Sequence, residues 1–272
     1  LHRIVVSLPW AGGTDSAVAC KKGGVFLYWM DTGELEDEAT FFEYYKAMSR
    51  ERQRKVDSFL LRKDQRLSLG AGILMDQGLS AWGLRERETE VSYREKGKPY
   101  LPHYPQIHFN LSHSGSRALA VFAGVENGCD IEQVQKADLD LAERFFTPGE
   151  YEFIAGQQGS TRRDEAFTRL WTLKESFLKA VGAGLMLSLD AFEITISSEG
   201  KIVLCKRSKE AQVLAPGEFV FREYQLEGYC AAVCFWKEMG RTENRGCPNV
   251  SGNKRKVEGM AENEGIDHRR NS

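Results

Sequence analysis

Apolar residues recur with two different periods along this chain, and the switches between those periods divide it into segments. From Glu36 to Gly83 the spacing is helical: Phe41, Phe42, Tyr45 and Met48 form one stripe, and Leu67, Leu69, Ile73, Leu74 and Leu84 supply others. From Glu88 to Val134 the pattern changes to short extended runs at residues 91–93, 107–111 and 117–125, separated by Gly and Pro turns. Residues 139–146, 148–155 and 164–181 predict helices, Pro148 being acceptable in a first turn. Residues 25–30 predict a strand before the first helices, and residues 192–197, 219–226 and 229–236 predict three more at the end. Helices, strands, helices and strands in that order predict an α/β (α+β) protein of two similar lobes, residues 25–125 and 126–238. Residues 1–24 are turn-rich and predict an N-terminal extension. After about Met239 the chain is almost free of apolar residues, so residues 239–272 predict a disordered tail that cannot offset its ordering entropy.

Composition narrows the class. Lys and Arg total 37 against 39 Asp and Glu, a formal charge of -2, so no global field favours nucleic acid or an anionic membrane. No apolar run approaches the roughly 20 residues that span a bilayer, and residues 1–10 hold too short an apolar stretch for a secretory leader. The cysteines at 20, 129, 205, 230, 234 and 247 form no CxxC pair and predict reduced thiols in a cytoplasmic protein without a zinc site.

The candidate chemistry is acidic and basic side by side. In the helix at residues 164–181, Leu170, Leu173, Phe177 and Val181 make a core stripe, which leaves Lys174, Glu175 and Lys179 on a neighbouring side facing a cleft. Glu175 and Lys179 are i,i+4 neighbours. Upstream, an extended Gly128 to Glu132 puts Asp130 and Glu132 on one face, since side chains alternate along a strand. Three converging carboxylates favour a hard divalent cation and, with it, phosphoryl transfer. Phe109 to Gly115 ends a strand in a polar turn where Ser112 and His113 can hold an anion. Arg94, Lys98 and Pro99 form a cationic turn, and Arg52, Lys55 and Arg66 add charge on the helices before it. Each signal has an ordinary explanation when taken singly: a Glu-Lys pair at i,i+4 is commonly a surface ion pair worth about 0.2–0.5 kcal/mol, Asp-x-Glu an edge strand, and a basic run a solvated helix face.

In their order, Gly97-Lys98-Pro99, Phe109 to Gly115, Gly128 to Glu132, Phe145-Phe146-Thr147 to Glu150-Tyr151, and Trp171 to Lys179 resemble the 4′-phosphopantetheinyl transferases of the larger, surfactin-synthetase-activating type, over about residues 25–236. The resemblance implies a monomer of two lobes related by a pseudo-twofold axis, with coenzyme A in the cleft between them and an apo acyl or peptidyl carrier protein as acceptor. It implies Asp130, Glu132 and Glu175 as Mg²⁺ ligands and Glu175 and Lys179 as the catalytic pair. Asp130, Lys174 and Lys179 would lie beside the coenzyme phosphates, Ser112 and His113 at the 3′-phosphate, Arg94, Lys98 and Pro99 around the nucleotide, and Arg52, Lys55 and Arg66 as further basic contacts. The Phe145 to Ile154 segment, with Phe145, Phe146, Tyr151 and Phe153, either offers the carrier an apolar platform or is core, and core is the commoner placement for any one of these aromatics. A degenerate coenzyme-binding module and a metal-dependent phosphoesterase are the competing readings.

Overall fold

Strand β1 (Val6–Leu8) pairs antiparallel with β2 (Val25–Asp31), and the alternation of side chains in β2 sets the architecture. Phe26, Tyr28 and Met30 enter one hydrophobic core while Val25 and Leu27 enter another, so the strand is buried on both faces. The computed structural model from which this follows describes residues 6–8, 25–237 and 255–256. The extension and tail expected at the two ends otherwise lie outside the described residues.

Three helices follow β2: α1 (Glu38–Ala47), α2 (Arg50–Asp57) and α3 (Arg62–Ser80), the first two capped by Asp37 and Ser49, whose side chains accept the backbone N–H three residues on. The chain then forms the small hairpin β3 (Ser92–Tyr93) and β4 (Pro99–Tyr100), and the strands β5 (His108–Ser114), β6 (Arg117–Ala123) and β7 (Asn127–Gln133). Next come α4 (Leu139–Phe145), α5 (Pro148–Ala155) and α6 (Ser160–Val181), the hairpin β8 (Phe192–Ile196) and β9 (Ile202–Lys206), α7 (Lys209–Leu214), and the strands β10 (Glu218–Leu226), β11 (Tyr229–Lys237) and β12 (Arg255–Lys256). Pro148 is the first residue of α5, and Thr147 and Glu150 complete a reciprocal capping box there.

Two four-stranded sheets organise these elements, in the orders β1-β2-β6-β5 and β12-β10-β11-β7. One core packs α3 against β2, β5 and β6, and a second packs α6 against β10, β11 and the β8–β9 hairpin. A third lies between the sheets, where Leu27, Leu119 and Val121 meet Cys129, Ile131, Ala231 and Val233. The layers therefore run helix, sheet, sheet, helix. Helix α6 comes so close to β7 that a Cβ on Gly128 would stand 2.2 Å from the Ala180 nitrogen and 2.3 Å from the Ser176 oxygen. Only glycine fits that contact, and it brings the acidic strand and the Glu175 helix together.

Several sequence expectations shift. Helix α6 begins at Ser160, a turn earlier than its apolar period announces, because its first turn is polar and exposed. The amphipathic β9 and the short α7 were not expected at all. In the α1 stripe Phe41 is buried, but Phe42 is 45% exposed and sits below the Arg62 guanidinium. Among the described residues no helix is long and apolar enough to cross a membrane.

Candidate active site

The edge strands β5 and β7 belong to different sheets, and side chains join them. Alternate residues of β5 reach across: Asn110 Oδ1 accepts the Cys129 N–H at 3.1 Å, Ser112 Oγ the Ile131 N–H at 3.4 Å and Ser114 Oγ the Gln133 N–H at 3.2 Å. The spacing of two on each strand makes this a ladder in which short polar side chains replace the carbonyls of a partner strand. The same serines meet the acidic residues that alternate with those amides. Ser112 donates to Asp130 Oδ1 at 2.8 Å and Ser114 to Glu132 Oε2 at 2.6 Å.

Helix α6 closes the cluster from the other side. Lys179 Nζ lies 2.6 Å from Asp130 Oδ1 and 3.1 Å from Ser112 Oγ. Asp130 is 2% exposed, and its second oxygen, Oδ2, is buried without a hydrogen-bond partner. Burial pushes the Asp130 carboxyl up, against the pull of Lys179 and Ser112. Glu132 is raised by burial and by the charges of Asp130 and Glu175, with the Ser114 hydrogen bond opposing. Glu175 is raised by burial first and by Asp130 second, and none of the causes acting on it is a hydrogen bond. Burial lowers the Lys179 pKa, but Asp130, Cys129 and Glu175 together outweigh it, so the pKa is raised. The three acids thus share one electrostatic field. Among the described residues, however, no three His, Cys, Asp or Glu groups are gathered at metal-ligand spacing, for Asp130 Oδ1 is turned to Lys179 and Glu132 to Ser114.

Beside this cluster opens a cleft of about 370 Å³, with Lys96, Gly97, Lys98 and Pro99 on one side and Glu175, Leu178 and Lys179 of α6 among its other lining residues. A second cavity of about 270 Å³, lined among others by Arg52, Lys55, Glu86 and Tyr93, lies in the α2 region. His113 is exposed and within electrostatic range of both Lys179 and Lys55.

Several sequence-predicted residues are engaged elsewhere in the structure. Lys174 does not face the cleft: it is fully buried, donates to both Glu150 oxygens at 2.5 and 2.7 Å and to the Phe192 carbonyl at 2.9 Å, and belongs to the core under α5 and β8. One residue is a 100° step on a helix, so Lys174 and Glu175 diverge. Lys98 lines the cleft, but its ammonium is spent on Glu126 Oε2 and the Ala180 carbonyl, both at 2.6 Å. Ser112 lies within β5 rather than a turn, 7% exposed, with its hydroxyl occupied in the seam. Arg52 is 9% exposed and directed at Glu86 and the Ser68 carbonyl, while Arg66 pairs with Glu36 at 3.4 Å. Of the aromatic platform only Phe145 is open, at 44%; Phe146 is buried and Tyr151 and Phe153 pack on the core.

Sequence reasoning missed Glu126 and Glu150, which organise the buried cations, and the structural role of Asn110 and Ser114. The x-Asn-x-Ser-x-Ser alternation in residues 109–114 was the available signal for the last two. A Glu ahead of a strand and a Glu inside a capping box carry no mark of the lysine they will bind.

Residues 126–234 match the 4′-phosphopantetheinyl transferase superfamily and residues 36–126 the 4′-phosphopantetheinyl transferase N-terminal family. The 4′-phosphopantetheinyl transferase Sfp of Bacillus subtilis (strain 168) is 31% identical over 212 residues, 77% of this chain and 91% of that protein. Another 4′-phosphopantetheinyl transferase of Bacillus subtilis is 34% identical over 157 residues, 57% of this chain and 70% of the relative. The L-aminoadipate-semialdehyde dehydrogenase-phosphopantetheinyl transferase of Pongo abelii is 30% identical over 226 residues, 76% of this chain and 72% of the relative. The chain belongs to the 4′-phosphopantetheinyl transferase family and is an enzyme of its Sfp-like type.

Proposed function

We propose that this protein transfers the 4′-phosphopantetheine group of coenzyme A to a serine hydroxyl of an apo acyl or peptidyl carrier protein and releases adenosine 3′,5′-bisphosphate. The observation that carries the reading is the electrostatic coupling of Asp130, Glu132, Glu175 and Lys179, of which Glu175 and Lys179 line the cleft. The acids offer only hard oxygen donors, all three are raised by burial, and Asp130 Oδ2 is buried without a partner, so the site fits a hard divalent cation. Asp130, Glu132 and Glu175 would hold Mg²⁺, which when bound neutralises charge on the coenzyme's pyrophosphate.

The remaining steps fall to the chain itself. The acceptor serine oxygen forms a bond to the β-phosphorus as the bond from that phosphorus to the bridging oxygen breaks, and the electron pair leaves with the adenosine bisphosphate. Glu175 takes the serine proton, a role suited to a carboxylate whose pKa is raised. Lys179, half-buried beside the cleft, offsets the charge that develops on the phosphates. The turn at Arg94 to Pro99 shapes the nucleotide end, and Lys55 and His113 offer positive or hydrogen-bonding groups to its 3′-phosphate. Phe145 is the exposed aromatic to which an incoming carrier can dock. In this reading residues 25–125 and 126–238 act as two lobes. In this reading the protein acts as a monomer. The free thiols of Cys129, Cys205, Cys230 and Cys234 support a reducing, cytoplasmic setting.

The test is incubation with Mg²⁺, coenzyme A and a panel of apo carrier proteins, with intact carrier mass as readout. A gain of one phosphopantetheine that vanishes in the carrier Ser→Ala control is expected. Coenzyme A cleavage without any carrier would instead favour a phosphoesterase, and coenzyme binding without transfer to any carrier a binding module.

A further inference from the structure

Glu126 occupies the crossing from β6 to β7, tied to β11 by the Trp236 N–H, which donates to its carbonyl at 2.9 Å. Its carboxylate gathers three cationic or hydrogen-bonding side chains: Lys98 at 2.6 Å, Arg94, and His108 Nδ1 at 3.4 Å. Lys98, 7% exposed, also donates to the carbonyl of Ala180 in the last turn of α6, where the helix's unpaired carbonyls favour a cation. Its methylenes run over Gly182, the left-handed cap of α6 at φ +70°, where an added Cβ would come within 3.0 Å of Lys98 Cδ. The loop itself is drawn tight by the Arg94 N–H donating to the Lys98 carbonyl at 2.9 Å and the Gly97 N–H to the Arg94 carbonyl at 2.8 Å.

Lys96–Pro99 and α6 are two walls of the same cleft, and Lys98 fastens one to the other. We propose that Lys98 and Glu126 are positioning residues, a clasp that holds the loop at residues 94–99 on the C-terminal turn of α6 and so fixes the shape of the coenzyme A cleft, with the Lys98 ammonium committed to Glu126 and the Ala180 carbonyl. The proposal rests on reading the cleft as the coenzyme A site. Without the Glu126 carboxylate, the Lys98 ammonium keeps only a carbonyl in a buried position and the loop must move outward to rehydrate it. Glu175 and Lys179 stay on their helix, so the loss falls on coenzyme binding.

Calorimetric titration of the full chain with coenzyme A tests this on Glu126→Gln, Lys98→Met and the double variant. Each single change is expected to raise the Kd for coenzyme A about tenfold while the KM for the carrier moves much less. The double variant removes the buried Lys98 charge together with its half-buried partner, so it regains melting temperature, yet its Kd stays as weak as that of the worse single variant. A double variant with wild-type Kd, or single variants that melt earlier but bind coenzyme A normally, would show an ordinary structural ion pair and overturn the clasp. Wild-type protein that binds no coenzyme A overturns the functional reading and the clasp with it.

Discussion

Lys174 and Glu175 are adjacent on α6 and sit in opposite electrical settings. Around Lys174 every group is answered: Glu150 accepts from the ammonium and from the Thr147 and Ile194 N–H groups, and the Phe192 carbonyl takes a third hydrogen bond from the lysine. Even so, burial draws the Lys174 pKa down to about 8, with Glu150 opposing. On the other side Glu175 is raised by burial and by a neighbouring acid, and Asp130 keeps a buried oxygen without a partner. A polar network that satisfies itself fixes structure, whereas one that leaves like charges together retains unspent affinity for a ligand. Perturbation alone does not separate the two, for both are buried; the presence or absence of unanswered groups does.

Replacing Glu175 by Gln gives the largest expected effect. The side chain keeps its shape but can no longer take a proton, and transfer is expected to fall about 10²–10⁴-fold, read as the single-turnover rate of carrier mass gain, with a melting temperature no lower than that of wild type. Near-normal turnover would remove Glu175 as the base. On the satisfied side, Lys174→Met strands the Glu150 carboxylate in the core and is expected to cost about 3–5 kcal/mol of stability, measured by urea denaturation. Adding Glu150→Gln removes the buried charge but keeps an acceptor for only one of the Thr147 and Ile194 N–H groups, which meet different Glu150 oxygens, and should recover part of that loss. If Lys174→Met left stability intact but abolished coenzyme binding, the contrast between the two neighbours would collapse.

These expectations draw on features of very different visibility in the sequence. The core stripe of α6 was legible because burying Leu170, Leu173 and Phe177 requires a helical period, and all three are at most 1% exposed. The acidic strand was legible because alternation places Asp130 and Glu132 together, with Cys129 and Ile131 on the opposite, inter-sheet face. The period could not assign Lys174, which borders the stripe and could have faced either way until Glu150 arrived from α5 to receive it. Nor could it reveal that Lys98 turns inward, since that depends on Glu126 and on the carbonyl of Ala180, 28 and 82 residues away. Local patterns show which elements form. Partners for buried charges come from elements packed afterwards.

Ser112 stands between the two regimes, being a rung of the seam and a partner of the unsatisfied cluster. Ser112→Ala removes the donor to Asp130, the acceptor for Lys179 and the acceptor for the Ile131 N–H together. It is expected to cost about 1–3 kcal/mol in stability, again by urea denaturation, and to slow transfer less than Glu175→Gln does. A loss of transfer as large as that of Glu175→Gln would assign the hydroxyl a part in the chemistry itself.

The smallest effect is the dependence of stability on pH, where the two kinds of acid carry opposite signs. Burial pushes Glu126 up, but the hydrogen bonds and charges of His108 and Lys98 outweigh it and hold its carboxyl far below the ordinary range. Its contribution is therefore complete above the unfolded value of about 4.3 and is lost as pH falls toward the depressed one. Glu175 is raised instead, so the folded chain holds its proton longer than the unfolded chain, and its penalty grows as pH rises from that same unfolded value through the folded one. Urea titrations across the acid range should show the deficit of Glu126→Gln relative to wild type shrinking on acidification. The advantage of Glu175→Gln should grow as the pH is raised. Differences that ran the same way with pH would mean that the cleft carboxylate is as well satisfied as the clasp, and the distinction between a network that builds the fold and one that awaits a ligand would not hold.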